Sequence, residues 1–185
     1  MTASRFTGER ELNVHTDSTL EATAPDARTI AIAQLVARIR SEQNLGLGIA
    51  GGLVGALLGA VIWAAVSAAT HYRIGYMSIG VGFLVGYGVK TLGRGIDRSF
   101  GIAGAVFALL GCIAGNLGTV ILAVSDQAKV PVTTILDKLS PNLALEMLKI
   151  DFQPMDVLFY AIALYFGYKY SFRRLTQDEI AALPD

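Results

Sequence analysis

The chain of 185 residues is 53% hydrophobic and only 16% charged, and its mean hydropathy is +0.51. An average soluble domain has about 25% charged residues, so this composition indicates a membrane protein. The 15 basic and 15 acidic residues cancel, which excludes the net positive charge that is typical of nucleic-acid-binding proteins. The single cysteine, Cys112, excludes an intramolecular disulfide.

The polar segment before residue 45 contains no apolar stretch typical of a cleavable signal peptide. Residues 1–26 are rich in Thr, Ser, Glu and Asp and predict a disordered tail. Apolar residues recur at helical spacing over 27–44, between arginines, which predicts an amphipathic juxtamembrane helix. Such a helix either lies on an anionic membrane surface or packs against a partner subunit.

Two long stretches of the chain carry no charged side chain, Leu45–Thr70 and Ser99–Ser125. Each exceeds the roughly 20 apolar residues that cross a hydrocarbon core about 30 Å thick. They predict transmembrane helices over about 45–69 and 99–124.

Two weaker apolar segments, about 74–92 and 155–172, have fewer uncharged residues in a row. Tyrosines, phenylalanines and lysines stand at their ends, as expected for residues at a membrane interface. With these segments the sequence predicts an all-α, polytopic membrane protein whose transmembrane bundle of four helices covers residues 45–172.

The basic residues are distributed unequally between the two sides of such a bundle. Eleven of the 15 fall in the amino-terminal segment, the 90–98 loop and the carboxyl-terminal stretch from Lys169 onward, and the others are Arg73, Lys129, Lys138 and Lys149. Cytoplasmic loops carry the excess of Lys and Arg. Both termini, including the 173–185 tail, are therefore predicted to be cytoplasmic.

The remaining loop, 125–154, is then exterior. Its apolar residues predict one or two short amphipathic helices interrupted at Pro141, because a proline ring cannot continue a helix. Asp156 follows Pro154 at the start of the last span, where a carboxylate favours the positive end of a helix and is expected to cap it.

Glycines four residues apart recur in three of the four predicted spans. Residues at this spacing share a helix face, and a glycine face lets two helix backbones approach closely. We therefore assign helix packing or an oligomer interface to Gly51, Gly55, Gly59, Gly82, Gly86, Gly111 and Gly115. Packing within one chain and self-association both remain open.

Polar side chains at membrane depth are few. Asn116 is the clear case, and it predicts either an interhelical hydrogen bond or a contact with a pore or substrate. Ser67 and Ser78 are expected to hydrogen-bond to the backbone of their own helices.

Motifs for catalysis or cofactor binding are not found in the sequence, which has no paired carboxylates within a span, no His-x-x-x-His and no Gly-x-Ser-x-Gly. The Gly-x-Gly steps at 46–48, 80–82 and 86–88 fall inside apolar helices, where no phosphate-binding loop forms. We expect no enzymatic activity, no cofactor and no metal site.

Three segments resemble a group of uncharacterised bacterial inner-membrane proteins. They are Ile79–Gly86, the glycine- and alanine-rich stretch Gly101–Gly118, and Met155–Phe159 before the aromatic helix. The resemblance covers residues 45–172, rests on glycine and apolar positions, and implies a bacterial inner (plasma) membrane location with four helices. It implies no activity.

Two functional hypotheses follow. The first is a non-enzymatic, oligomerising scaffold or regulatory subunit, whose partners are the lipid bilayer and either a second copy or another membrane or cytoplasmic protein bound through residues 1–44. The second is a small homo-oligomeric channel or transporter lined by Gly, Ser and Asn116.

Overall fold

The computed structural model describes residues 26–72 and 75–181, leaving out the side chains of Gln177 and Ile180. The predicted disordered tail over 1–26 lies outside this part, except for Asp26. Every regular element in the described ranges is a helix, in the order α1 (Ala27–Glu42), α2 (Leu45–Thr70), α3 (Met77–Gly93), α4 (Arg98–Ala128), α5 (Val132–Asp137), α6 (Pro141–Asp151), α7 (Pro154–Tyr170) and α8 (Gln177–Ala181).

The chain divides into two units, one formed by residues 1–38 with 175–185 and the other by residues 39–174. The described part of the first unit contains most of α1, on which Ile30 and Ile32 are 46% and 43% exposed, and the short α8. The second unit begins at the buried Ile39 and contains α2 to α7.

Local signals in the sequence set the ends of the long helices. The Asn44 side chain accepts a hydrogen bond from the Leu47 amide, 3.0 Å away, and so caps the start of α2. The residues that follow α2, α3 and α4 adopt the left-handed conformation that commonly closes helices. They are His71, Arg94 and Lys129, with φ angles of 56°, 50° and 53°.

The segment between α4 and α7 contains two short helices, α5 and α6, separated before Pro141 as the sequence predicts. The Ser140 hydroxyl accepts from the Leu143 amide, 3.2 Å away, and starts α6. The expected capping by Asp156 is confirmed, because Oδ2 accepts from the Gln153 amide at 2.9 Å within a capping box.

The helices α2, α3, α4 and α7 form a bundle in which α3 and α4 contact each other and both outer helices. α2 and α4 run in the same direction, since Gly48 faces Phe100 at one end and Gly118 faces Ala64 at the other. α3 runs in the opposite direction, with Gly51 beside Gly88. 

α7 runs alongside α3 and in the same direction. The Ser78 hydroxyl donates to the Phe159 carbonyl, 3.1 Å away, and Gly82 lies against Ala163. The core between the helices consists of small and β-branched residues: Ala56, Val81, Val85, Val89, Ala108, Cys112 and Ala163, closed by Trp63 and Phe100.

Polar contacts join the start of α2 to the α3–α4 connection. The Asp97 carboxylate accepts hydrogen bonds from Arg40, at 3.2 Å, and from Gln43. The backbone amide of Asn44 donates to the Gly93 carbonyl, and the amide of Arg173, which follows α7, donates to the Gly95 carbonyl. This end of the unit is therefore fixed by hydrogen bonds as well as by packing.

Two of the four predicted spans, α2 with 26 residues and α4 with 31, are long and apolar enough to cross a membrane. On length and composition alone, these two helices suggest association with a membrane. α3 and α7 have 17 residues each, which cover about 26 Å at 1.5 Å per residue.

Candidate functional site

Three of the glycines assigned to helix packing, Gly51, Gly55 and Gly59, lie on the face of α2 that contacts α3. A Cβ atom on Gly55 would lie 2.8 Å from the Leu84 carbonyl oxygen and 2.8 Å from Val85 Cα. One on Gly51 would lie against the Gly88 carbonyl. The absence of side chains here allows the two backbones to touch.

The other four glycines also face neighbouring helices of the same chain. Gly82 and Gly86 on α3 lie against α7, where a Cβ atom on Gly86 would be 3.2 Å from the Gly167 carbonyl oxygen. Gly111 and Gly115 on α4 face α2, and a Cβ atom on Gly115 would be 3.0 Å from the Trp63 ring. All seven are buried within the chain.

Sequence reasoning missed the contact between α4 and α7. Gly104 and Gly167 lie so close that a Cβ atom on either would meet the other's carbonyl. Ala163, Gly167 and Ser171 stand four residues apart on the buried side of α7. A search for small residues in general, instead of glycine pairs, would have found this face.

Asn116 lies inside the bundle and is 7% exposed. The Tyr160 side chain on α7 is a polar neighbour, but Nδ2 of the Asn116 amide has no hydrogen-bond partner within the described ranges. The amide therefore lies between α4 and α7, on the inner side of the bundle.

Both serines depart from their expected bonding to their own helices. The Ser78 hydroxyl crosses to the Phe159 carbonyl of α7. Ser67 is 4% exposed, and its hydroxyl has no hydrogen-bond partner in the described part of the chain. A buried hydroxyl without a partner costs about 1–3 kcal/mol, so Ser67 is an unfavourable residue for a well-packed helix interface.

Ser67 lines a cleft of about 850 Å³ between the last turns of α2 and α4. Its wall includes Thr119 and Leu122 of α4 and, towards the surface, the exposed residues that follow both helices. The volume lies within the range of about 300–1,000 Å³ found for ligand pockets. This cleft is the candidate functional site.

The mouth of the cleft carries opposite charges. Lys129 Nζ lies 3.0 Å from Asp126 Oδ1. Asp126 follows the uncharged run that ends at Ser125, so it lies outside the segment that would cross a membrane. The hydrogen bond and the charge of Lys129 hold the pKa of Asp126 below its usual range, with a smaller effect of His71. The carboxylate is therefore ionised at neutral pH.

The hydroxyls beside Ser67 are already engaged. Thr119 donates to the Gly115 carbonyl at 3.0 Å, and Ser125 donates to the Val130 carbonyl at 2.7 Å. Within the described residues no group of His, Cys, Asp and Glu is arranged to hold a metal ion. The lining of the cleft therefore changes from apolar at the wall to charged at the mouth, an arrangement suited to binding a ligand.

No family model, curated protein or solved structure matches the chain.

The contact of Gly55 with α3 gives a direct test of the glycine faces. Gly55→Leu should lower the thermal unfolding temperature in detergent, because overpacking a close contact costs about 1–3 kcal/mol. Gly80→Leu is the matched control, since a Cβ atom on Gly80 meets nothing within 4 Å. Equal stability of the two variants would contradict the packing role of Gly55.

Because Nδ2 of the buried Asn116 amide has no hydrogen-bond partner in the described residues, replacement of Asn116 by an apolar residue should not destabilise the protein. Asn116→Leu should leave the unfolding temperature unchanged or raise it, because a buried amide without a full set of hydrogen bonds contributes little; measured interhelical cases average about 0.6 kcal/mol. Asn116→Asp should lower it, because a carboxylate is costlier to bury. A large loss of stability in Asn116→Leu would show that the amide is structurally required.

Proposed function

We propose that the protein is a polytopic membrane protein of four spans that acts as a non-enzymatic scaffold or regulatory subunit. The observation that carries the four spans is the shared direction of α2 and α4, established by the contacts of Gly48 with Phe100 and of Gly118 with Ala64. If both cross a bilayer in the same direction, the chain between them must return, and α3 is the segment that does so.

The same reasoning supports a fourth crossing by α7. α7 runs beside α3, with Phe159 at the level of Ser78 and Tyr170 at the level of Gly86. The two helices therefore overlap over most of their length, with α7 beginning about four residues, or about 6 Å, before α3. Aromatic rings cluster where α7 ends, including Phe166 stacked on Tyr170 with centroids 5.6 Å apart, as expected for an interface.

The outer surface of the bundle supports its placement in lipid. Only 39% and 33% of the most apolar stretches of α2 and α4 are buried, so most of their residues face outward. Large aliphatic side chains on these faces are about half exposed or more: Leu53, Val54, Leu57, Leu58, Val61, Ile102, Val106 and Leu110. A surface of this kind needs lipid or protein to cover it.

The packed interior of the bundle favours a scaffold, which acts by binding other proteins, over a channel. Val85, Val89, Ala108, Cys112 and Ala163 are 0% exposed, and backbone contacts at the glycines fill the remaining space. Within the described residues, this core leaves no path for a solute between the four helices. We favour a scaffold over a channel because Asn116 lies inside the bundle, away from the outer surface on which copies would meet to form a pore.

The proposed location is a bacterial inner membrane with both termini in the cytoplasm. The orientation is supported by the excess of basic residues in the amino-terminal segment, the α3–α4 connection and the carboxyl-terminal stretch. The bacterial membrane is supported by the resemblance of residues 45–172. On this orientation α5 and α6 face the exterior, as does the cleft between α2 and α4.

Cysteine labelling on intact cells tests the crossing by α7. In a Cys112→Ala background, Asp137→Cys should react with a membrane-impermeant maleimide, whereas Arg174→Cys should react only after permeabilisation. Labelling of both in intact cells would contradict the crossing by α7. The reverse pattern would keep four crossings and overturn the orientation.

Native mass spectrometry after mild extraction tests the scaffold. We expect a complex with a second copy or another protein, bound through the segment before α2, and we expect its loss when residues 1–38 are removed. The deletion leaves the unit 39–174 intact. An unchanged thermal unfolding temperature is the control for folding. A monomer in both preparations would contradict the scaffold.

A further inference from the structure

The cleft lies where the apolar parts of two helices end together. The uncharged run of α2 stops at Thr70 and that of α4 at Ser125. A Cβ atom on Gly118 would lie 3.1 Å from the Ala64 Cβ, about two turns before these ends, so the two helices are adjacent there. In the four-span placement proposed above, on which this inference rests, the cleft is at the boundary between hydrocarbon and lipid headgroups.

Its lining changes from apolar to charged along its depth. Ala68 and Leu122 form half-buried apolar wall, and the buried Ser67 adds one hydroxyl that has no hydrogen-bond partner within the described ranges. Asp126 and Lys129 stand exposed at the mouth. A ligand that matches this lining has an apolar body and a polar head, as a phospholipid has.

The charges at the mouth favour a head that carries both signs. α2 and α4 both end here, and the carboxyl end of a helix carries a partial negative charge that attracts cations. Asp126 adds a full negative charge, while Lys129 is a cation that can bind a phosphate. The Asp126 and Lys129 side chains are 68% and 80% exposed, so their mutual ion pair contributes little and can open.

Two further residues at the mouth suit such a head. His71, which closes α2, can donate a ring N–H to a phosphate oxygen. Tyr72 presents an aromatic ring, and such rings attract ammonium groups. Both residues line the cleft and are exposed.

We propose that this cleft binds one phospholipid whose headgroup carries a phosphate and an ammonium group. The phosphate contacts Lys129 and His71, and the ammonium lies towards Asp126 and the carboxyl ends of α2 and α4. The glycerol backbone and the first acyl carbons pack on Ala68 and Leu122.

The experiment uses the full chain, stripped of lipid by detergent exchange and placed in nanodiscs with equal amounts of phosphatidylethanolamine and phosphatidylglycerol. Native mass spectrometry after release counts the lipid retained. The unchanged protein should retain phosphatidylethanolamine over phosphatidylglycerol by about fivefold or more, the scale of one charge-assisted hydrogen bond. Asp126→Asn with Lys129→Gln should remove this preference without changing the net charge.

A matched pair of substitutions provides the control. Asp137→Asn with Lys138→Gln makes the same chemical change at exposed residues on the same side of the bundle, outside the cleft, and should keep the preference. Leu122→Trp should abolish retention by filling the apolar part of the cleft. Since Asp126 and Lys129 are exposed, their substitution should leave thermal unfolding unchanged.

Three results would overturn the proposal: equal retention of the two lipids by the unchanged protein, a preference that survives in the Asp126/Lys129 variant, or full displacement of the lipid by soluble phosphoethanolamine. The last would assign the cleft to a soluble ligand. Failure of the four-span placement is recognised separately, because Asp137→Cys and Arg174→Cys would then both react with the impermeant maleimide in intact cells.

Discussion

Backbone contact between helices is the constraint on which the rest of the bundle depends. α2 meets α3 at Gly51 and Gly88, and α4 meets α7 at Gly104 and Gly167, in each case with no room for a Cβ atom. Under the proposed placement in lipid, burial of apolar side chains between helices gains little, so dispersion and weak Cα–H···O contacts at short range hold the helices together. These contacts set the distance between neighbouring helices, and the core side chains are small enough to fit that distance.

Hydrogen bonds at one end complement the glycine contacts. Asp97 joins Arg40 and Gln43 to the α3–α4 connection, while Phe100 packs over Gly48 and Gly93. Polar groups satisfy each other here because the apolar runs have ended. At the opposite end the last turns of α2 and α4 line the cleft that contains Ser67. One end of the bundle is therefore joined by hydrogen bonds, whereas the other end contains the cleft.

The sequence predicts the elements better than it predicts their partners. The long uncharged runs and Asn44 locate α2, and Ser140 with Pro141 locates α6, because these signals are local. α4 continues to Ala128, beyond the predicted end near residue 124, because a helix can extend into water after its apolar run ends. α3 and α7 have only 17 residues each, so their crossing of a bilayer is proposed from their packing and does not follow from their length.

The candidate cleft was out of reach of sequence reasoning for a related reason. Ser67, Asp126 and Lys129 are ordinary residues for a helix end, and only the parallel course of α2 and α4 brings them together. The contact of Gly104 with Gly167 was missed because it pairs glycines of two different helices. Both features depend on which helix lies beside which, and helical periodicity carries no information about that choice.

The unequal helix lengths have a mechanical consequence. α3 and α7 stand side by side, offset by about four residues, and each, at 17 residues, covers about 26 Å, less than the roughly 30 Å of an average hydrocarbon core. Under the proposed placement, lipid next to each of these helices must thin, at a cost of a fraction of a kcal/mol per Å of mismatch. Two copies that meet through their thin sides share one deformed patch in place of two. Bilayer elasticity would then draw copies together without any specific contact, and would enrich the protein wherever the membrane is thinnest.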